Sequence, residues 1–160
     1  MRLRHVLISA AVVTAGVATV GGQASAAPTR VGTEMFISVQ NITDNGGGPV
    51  TASGVINDTG TDIVVSDNED TFDFGANGHI TVFHSARSSH EHLNKHTCVF
   101  TFTERGTYVF GNGTGEWAGY NGSGRYTVEG RVTDACEGGS FTGTLTIRAS
   151  GPINHPTDED

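Results

Sequence analysis

The sequence predicts an all-β fold, a single eight-stranded antiparallel β-barrel, and three observations carry that expectation. Glycine supplies 23 of the 160 residues while only 16% are charged. That balance starves surface helices of the Ala, Leu, Glu and Lys they favour and furnishes tight turns instead. Apolar or alternating runs recur at short, even spacing with turn residues between them, the pattern of a sandwich or small barrel. The last two runs alternate cleanly: Tyr126, Val128 and Val132 oppose Arg125, Thr127, Glu129 and Arg131, while Phe141, Leu145 and Ile147 oppose Thr142, Thr144, Thr146 and Arg148. Each would bury one face and wet the other.

The first segment is an address. Residues 1–26 carry Arg2 and Arg4, an apolar run from Val6 to about Val20, and Ala24-Ser25-Ala26 at the end, the three-part form of a secretory signal peptide. The apolar run is shorter than the roughly 20 residues that span a bilayer. Cleavage near Ala26 would leave a secreted chain, with no membrane contact, made of a barrel domain over residues 27–150 and a flexible acidic tail over 151–160.

Within the barrel domain the expected strands are Thr33 to Ile42, Val50 to Asn57, Thr61 to Val65, Gly78 to Ala86, Thr97 to Glu104, Thr107 to Phe110, Gly124 to Thr133 and Ser140 to Ala149. Asn45-Gly46-Gly47-Gly48-Pro49, Asp58-Thr59-Gly60 and Glu137-Gly138-Gly139 supply turns between them. Eight such strands can close, which removes exposed edges and leaves an interior for side chains or one small ligand. A sandwich is the competing arrangement, although Trp117 and the cysteines lack immunoglobulin spacing.

Charge and cysteine content narrow the partners. Seventeen acidic residues against nine basic give a net charge of -8, and nucleic acid is excluded on that balance. Cys98 and Cys136 are the only cysteines. In an oxidising compartment a lone pair is most simply one disulfide, whereas zinc needs more ligands and a catalytic thiol needs reduction.

From Cys98 the chain runs CVFTFTERGTYVFGNGTGEWAGYNGSGRYTVEG. Its core, GTYVFGNGTGEWAGYNGSGRY, resembles the signature of allene oxide cyclase barrel-like proteins, relatives of the plant dirigent proteins. Gly113, Thr114 and Gly115 match the turn, Trp117 stands where Phe is usual, Gly119, Gly122 and Gly124 continue the pattern, and Asn112 replaces a common glycine. A looser likeness extends from about Gly78 to Ile147, and is greatest to small secreted actinobacterial members. The resemblance implies an eight-stranded barrel with an apolar cavity, a hydrophobic small-molecule ligand, cofactor-free cyclase or isomerase chemistry, and a homo-oligomer. It transfers no catalytic residue, because it covers the turn and not a site.

Several individual residues are site candidates. Glu34, His84 and Tyr108 are the acid/base candidates: His84 shares a strand face with Ile80 and Val82, and Glu34 would have its pKa raised if it faced the cavity. Met35, Ile37 and Val39 make one apolar face around Glu34, yet Phe36 sits on the other with Glu34 and Ser38. Phe100, Phe102, Tyr108 and Trp117 are the ligand-lining candidates, with ordinary barrel filling as the alternative. His90, His92 and His96 have the composition of a metal site, but Arg87, Ser88, Ser89 and Lys95 around them favour a solvated loop. Asp67, Glu69, Asp70 and Asp73 lack the order of a calcium loop and read as a solvated acidic loop. Gly113 to Ala118 fits G-x-G-x-x-A, but the glycine-rich stretch after it cannot form the helix a dinucleotide needs.

The leading expectation is therefore a secreted barrel binding a hydrophobic small molecule, with cofactor-free cyclisation as its reaction. The alternatives are a non-catalytic barrel with a filled interior, and a histidine-loop metal binder.

Overall fold

The computed structural model describes residues 29–42, 47–136 and 142–155; the leader lies outside them. Eight strands follow one another in chain order around a closed antiparallel barrel. They are β1 (Thr29–Asn41), β2 (Gly48–Ser53), β3 (Asp58–Ser66), β4 (Glu69–Asp73), β5 (His79–Asn94), β6 (Val99–Gly113), β7 (Asn121–Thr133) and β8 (Thr142–His155). β1 closes the ring on β8, with Phe36 opposite Ala149 and Ser38 opposite Ile147.

Several strands differ from the sequence expectation: Asp58-Thr59-Gly60, expected as a turn, begins β3, and four further differences bear on the site. The acidic stretch is not a loop: Glu69–Asp73 forms β4, and its alternation points Asp70 and Phe72 into the barrel while Asp73 faces water. The two runs expected at Thr97 to Glu104 and Thr107 to Phe110 are one strand, β6, because Gly106 continues the ladder between them opposite Tyr126 and Ala86. A side chain at Gly106 would collide with the Ser85 carbonyl and the Tyr126 ring; glycine here accommodates a neighbouring ring, and does not interrupt the strand. The histidine-rich segment is also strand, since β5 runs on to Asn94. Finally, β8 continues through Gly151 to His155, so the first half of the expected flexible tail is paired with β1 and β7.

β1 resolves its ambiguous pattern against simple hydrophobicity. Glu34, Phe36, Ser38 and Gln40 face inward and are buried, while Met35 and Val39 lie on the outside. Phe36 decides the orientation by packing against Phe72 and Phe110, at centroid separations of 5.2 and 5.4 Å, and Glu34 and Gln40 beside it find hydrogen-bond partners within the barrel.

One end of the barrel is plugged. Short 3-10 turns at Gly75–Asn77 and Gly115–Trp117 pack together there, and Ile56, Phe74, Trp117 and Ile153 fill the space beneath them. Phe74 and Trp117 meet edge to face at 5.9 Å. The glycine-rich turn after β6 is needed for this closure: Gly115 has φ +59, and a Cβ on it would strike the Asn77 carbonyl.

The other end is open because the strands are unequal. β2 and β4 have 6 and 5 residues, whereas β5 and β6 have 16 and 15. The β5–β6 hairpin therefore stands above the short strands, and with β7 and β8 forms a curved wall. Cys98 and Cys136 are disulfide-bonded, which ties the tip of this hairpin to the turn after β7; Ala135 N–H also donates to the Cys98 carbonyl at 2.9 Å.

Candidate functional site

Two cavities occupy the inner face of the wall, one directly above the other. The upper one, at the mouth, has a volume of about 470 Å³ and is lined by Ile42, Phe100, Phe102, Gly130, Val132, Ala135 and Leu145. The lower one, about 60 Å³, is lined by apolar residues including Val128 and Ile147 and by the polar side chains Asp70, His84, Glu104, Tyr108 and Tyr126. Side chains alternate in and out along a strand. Phe102 and Glu104 are therefore successive inward residues on β6, as are Gly130 and Val128 on β7 and Leu145 and Ile147 on β8. The two spaces are therefore lined by successive layers of inward side chains.

The polar groups of the lower cavity are arranged in pairs. His84 Nε2 lies 3.3 Å from Asp70 Oδ2, and this hydrogen bond, opposed by burial, raises the imidazole pKa above its ordinary value. The Tyr126 hydroxyl donates to Glu104 Oε1 at 2.6 Å; burial and that carboxylate together hold its proton firmly in place. His84 and Tyr126 meet edge to face at 5.6 Å. Tyr108, the cross-strand neighbour of His84, is 2% exposed and its hydroxyl has no hydrogen-bond partner. Burial, helped by the charge of Glu34, pushes its pKa up to about 12.

Two more carboxylates stand behind this cavity. Asp62 is fully buried and accepts from Gln40 Nε2 at 2.8 Å; desolvation pushes its pKa up to about 6, with the Ser38 hydroxyl alongside favouring the charged form. Glu34 is equally buried, and its Oε2 accepts from the Ile56 N–H at 2.8 Å. Desolvation raises its pKa as well. Glu34 thus fastens the loop after β2 over the plugged end.

Of the candidates read from the sequence, His84 and Tyr108 come together in the lower cavity, and Phe100 and Phe102 come together at the mouth. Glu34 stands apart, behind Tyr108 and bound to backbone. Trp117 lies at the plugged end among Phe74 and Tyr120, well away from both cavities. His90 and His92 share a face of β5, opposite Thr103 and Thr101, and among the described residues no three His, Cys, Asp or Glu side chains converge on a metal position. A bulge between Ala86 and Ser88 is responsible. It shifts the alternation of β5, so that Glu91 and Leu93 follow Phe102 and Phe100 on the inner face while the histidines turn outward.

Asp70, Glu104 and Tyr126 were missed as site residues. Asp70 was hidden in a stretch whose acidity resembled a loop. For Tyr126 the available signal was its place on the inward face of a cleanly alternating strand.

Fold and cavities together define the class: a small eight-stranded antiparallel β-barrel, plugged at one end, with an apolar mouth above a polar floor. Comparison with protein-family models, curated proteins and solved structures returns no match for this chain.

Proposed function

We propose that this is a secreted barrel that binds a hydrophobic small molecule, its apolar body in the mouth and its polar end on the floor beneath. The observation that carries the reading is the stacking of an apolar space of about 470 Å³ on a small cavity with paired hydrogen-bonding groups. A few placed polar groups under apolar walls are what a small-molecule site requires. The signal-like leader and the disulfide support export, and the Gly113 to Gly124 turn supports kinship with allene oxide cyclase-like barrels.

A second reading adds cofactor-free cyclisation or isomerisation. It is favoured by His84, whose acid form the Asp70 carboxylate favours, facing the same cavity as the Tyr108 hydroxyl. Such a site would act by confining a reactive conformer and donating a proton to it.

Titration with the uncharged dye N-phenyl-1-naphthylamine tests the binding reading. The dye should brighten on binding, and Leu145→Arg, which places a charge in the mouth, should weaken it at least about tenfold. Met35→Arg on the outer face should leave it unchanged. Equal binding by wild type and Leu145→Arg would place the dye elsewhere and overturn the reading.

A further inference from the structure

The chemistry of the ligand's buried end can be inferred from the floor itself. Asp70 and Glu104 line it as carboxylates, Tyr108 and Tyr126 as hydroxyls, and His84 is the only basic group among the lining residues. Behind them the charge of Asp62 is felt at His84 and that of Glu34 at Tyr108. The field in the cavity is negative. Hydrogen-bonding capacity is also lopsided. His84 Nε2 already donates to Asp70 and Tyr126 already donates to Glu104, which leaves the second His84 ring nitrogen and the Tyr108 hydroxyl as remaining donors, while each ionised carboxylate can accept several bonds. The independent sign of a missing occupant is Tyr108, which is 2% exposed, faces this cavity and has a hydroxyl without a partner.

Building on the binding reading above, we propose that the ligand is an apolar primary amine that enters ammonium first. Its three N–H donors match the Asp70 and Glu104 carboxylates and the Tyr108 hydroxyl oxygen. The ammonium and its first methylenes fit the space of about 60 Å³, and the chain then passes Val128 and Ile147 into the mouth. A carboxylate on the same chain would meet like charge at both Asp70 and Glu104, desolvated, where repulsion is strong, and the single imidazole of His84, already bound to Asp70, offsets only part of it. An alcohol would bring a single donor to three acceptors.

Octylamine, octan-1-ol and octanoate share one tail and differ only in this end group, so their competition against N-phenyl-1-naphthylamine at pH 7 and about 0.15 M salt isolates it. Octylamine should bind best, at least about tenfold more tightly than octanol, with octanoate weakest. Tyr108→Phe removes no charge and Glu104→Gln removes one; both should erase most of the amine preference while leaving octanol affinity nearly unchanged. Glu116→Gln, an equal loss of charge on the exposed surface of the plugged end, should erase none of it. If all three ligands bind alike, or if Tyr108→Phe keeps the full preference, the amine proposal falls and the mouth remains a binding site. If none of the three binds while the dye does, the amine proposal falls alone. If neither they nor the dye bind, both readings fall.

Discussion

His84 and Asp70 approach across adjacent strands as diagonal neighbours: Asp70 sits opposite Val82, and the imidazole two residues further along reaches its carboxylate at 3.3 Å. His84 stands out in the sequence by its strand face, whereas Asp70 does not. Their contact depends on β4 existing as a strand and on its register with β5, and it favours the charged form of the one imidazole that lines the barrel floor among the described residues.

Asp70→Asn should lower the pKa of His84. The carboxylate is the largest influence raising it, and a neutral amide leaves burial to act against the charged ring. Imidazole proton shifts followed by NMR across pH 5 to 9 measure this directly. A His84 midpoint above 6.5 in the wild type that falls in the variant is the expected result; an unmoved midpoint refutes the coupling.

The barrel should be more stable at pH 5 than at pH 8. Asp62 binds its proton more tightly folded than unfolded, with a folded pKa of about 6 against 3.8. Its contribution is full below 3.8 and lost as pH rises through about 6. His84, raised from 6.5, has a contribution that is full below that value and fades above it, and Glu34, raised from 4.5, acts in the same sense. The Asp62 shift alone corresponds to roughly 3 kcal/mol at neutral pH. Asp62→Asn should therefore flatten the dependence of Tm on pH and raise Tm at pH 8; a variant retaining the full slope would contradict it.

Glu34 has a structural task that burial makes expensive to remove. Glu34→Ala would strand the Ile56 N–H, now held at 2.8 Å, and open a void, costing about 2 to 4 kcal/mol. Glu34→Gln keeps an acceptor oxygen in place and should cost about 1 kcal/mol or less. Urea denaturation of the two variants gives the comparison, and equal losses would show that the hydrogen bond is immaterial.

Removing the disulfide should loosen the mouth before it unfolds the barrel. Its cysteines are 38 residues apart, for which chain entropy gives up to about 4 kcal/mol of stabilisation. A Cys98→Ser, Cys136→Ser double variant should lose most of that and show faster amide exchange at the β5–β6 tip, with Ile80, Phe36 and Ile153 still protected. Uniform loss of protection would mean that the crosslink supports the whole barrel.

The fold class was readable because alternation in β7 and β8 survives any choice of boundary, and because glycine content signals turns. The count of eight strands came out right while two assignments behind it did not. Gly106 looked like a break, since composition cannot distinguish a glycine that ends a strand from one that makes room for Tyr126. Glu69–Asp73 looked like a loop because inward carboxylates are rare, and only the other walls of the barrel supply their partners. The same limit explains the site: His84 and Tyr108 were visible from strand parity, while Asp70, Glu104 and Tyr126 became site residues through cross-strand register. Counting by twos from Ile80 leads to His90 and His92, and the bulge after Ala86 is a single-residue shift that no periodicity revealed.

The separation of a plugged end from an open one also bears on how such a protein could diversify. Ile56, Phe74, Trp117 and Ile153 lock the base, while Phe100, Phe102, Val132 and Leu145 line the rim. The base and the rim draw on different residues, so the size and polarity of the open end can vary while the packing that locks the base is kept.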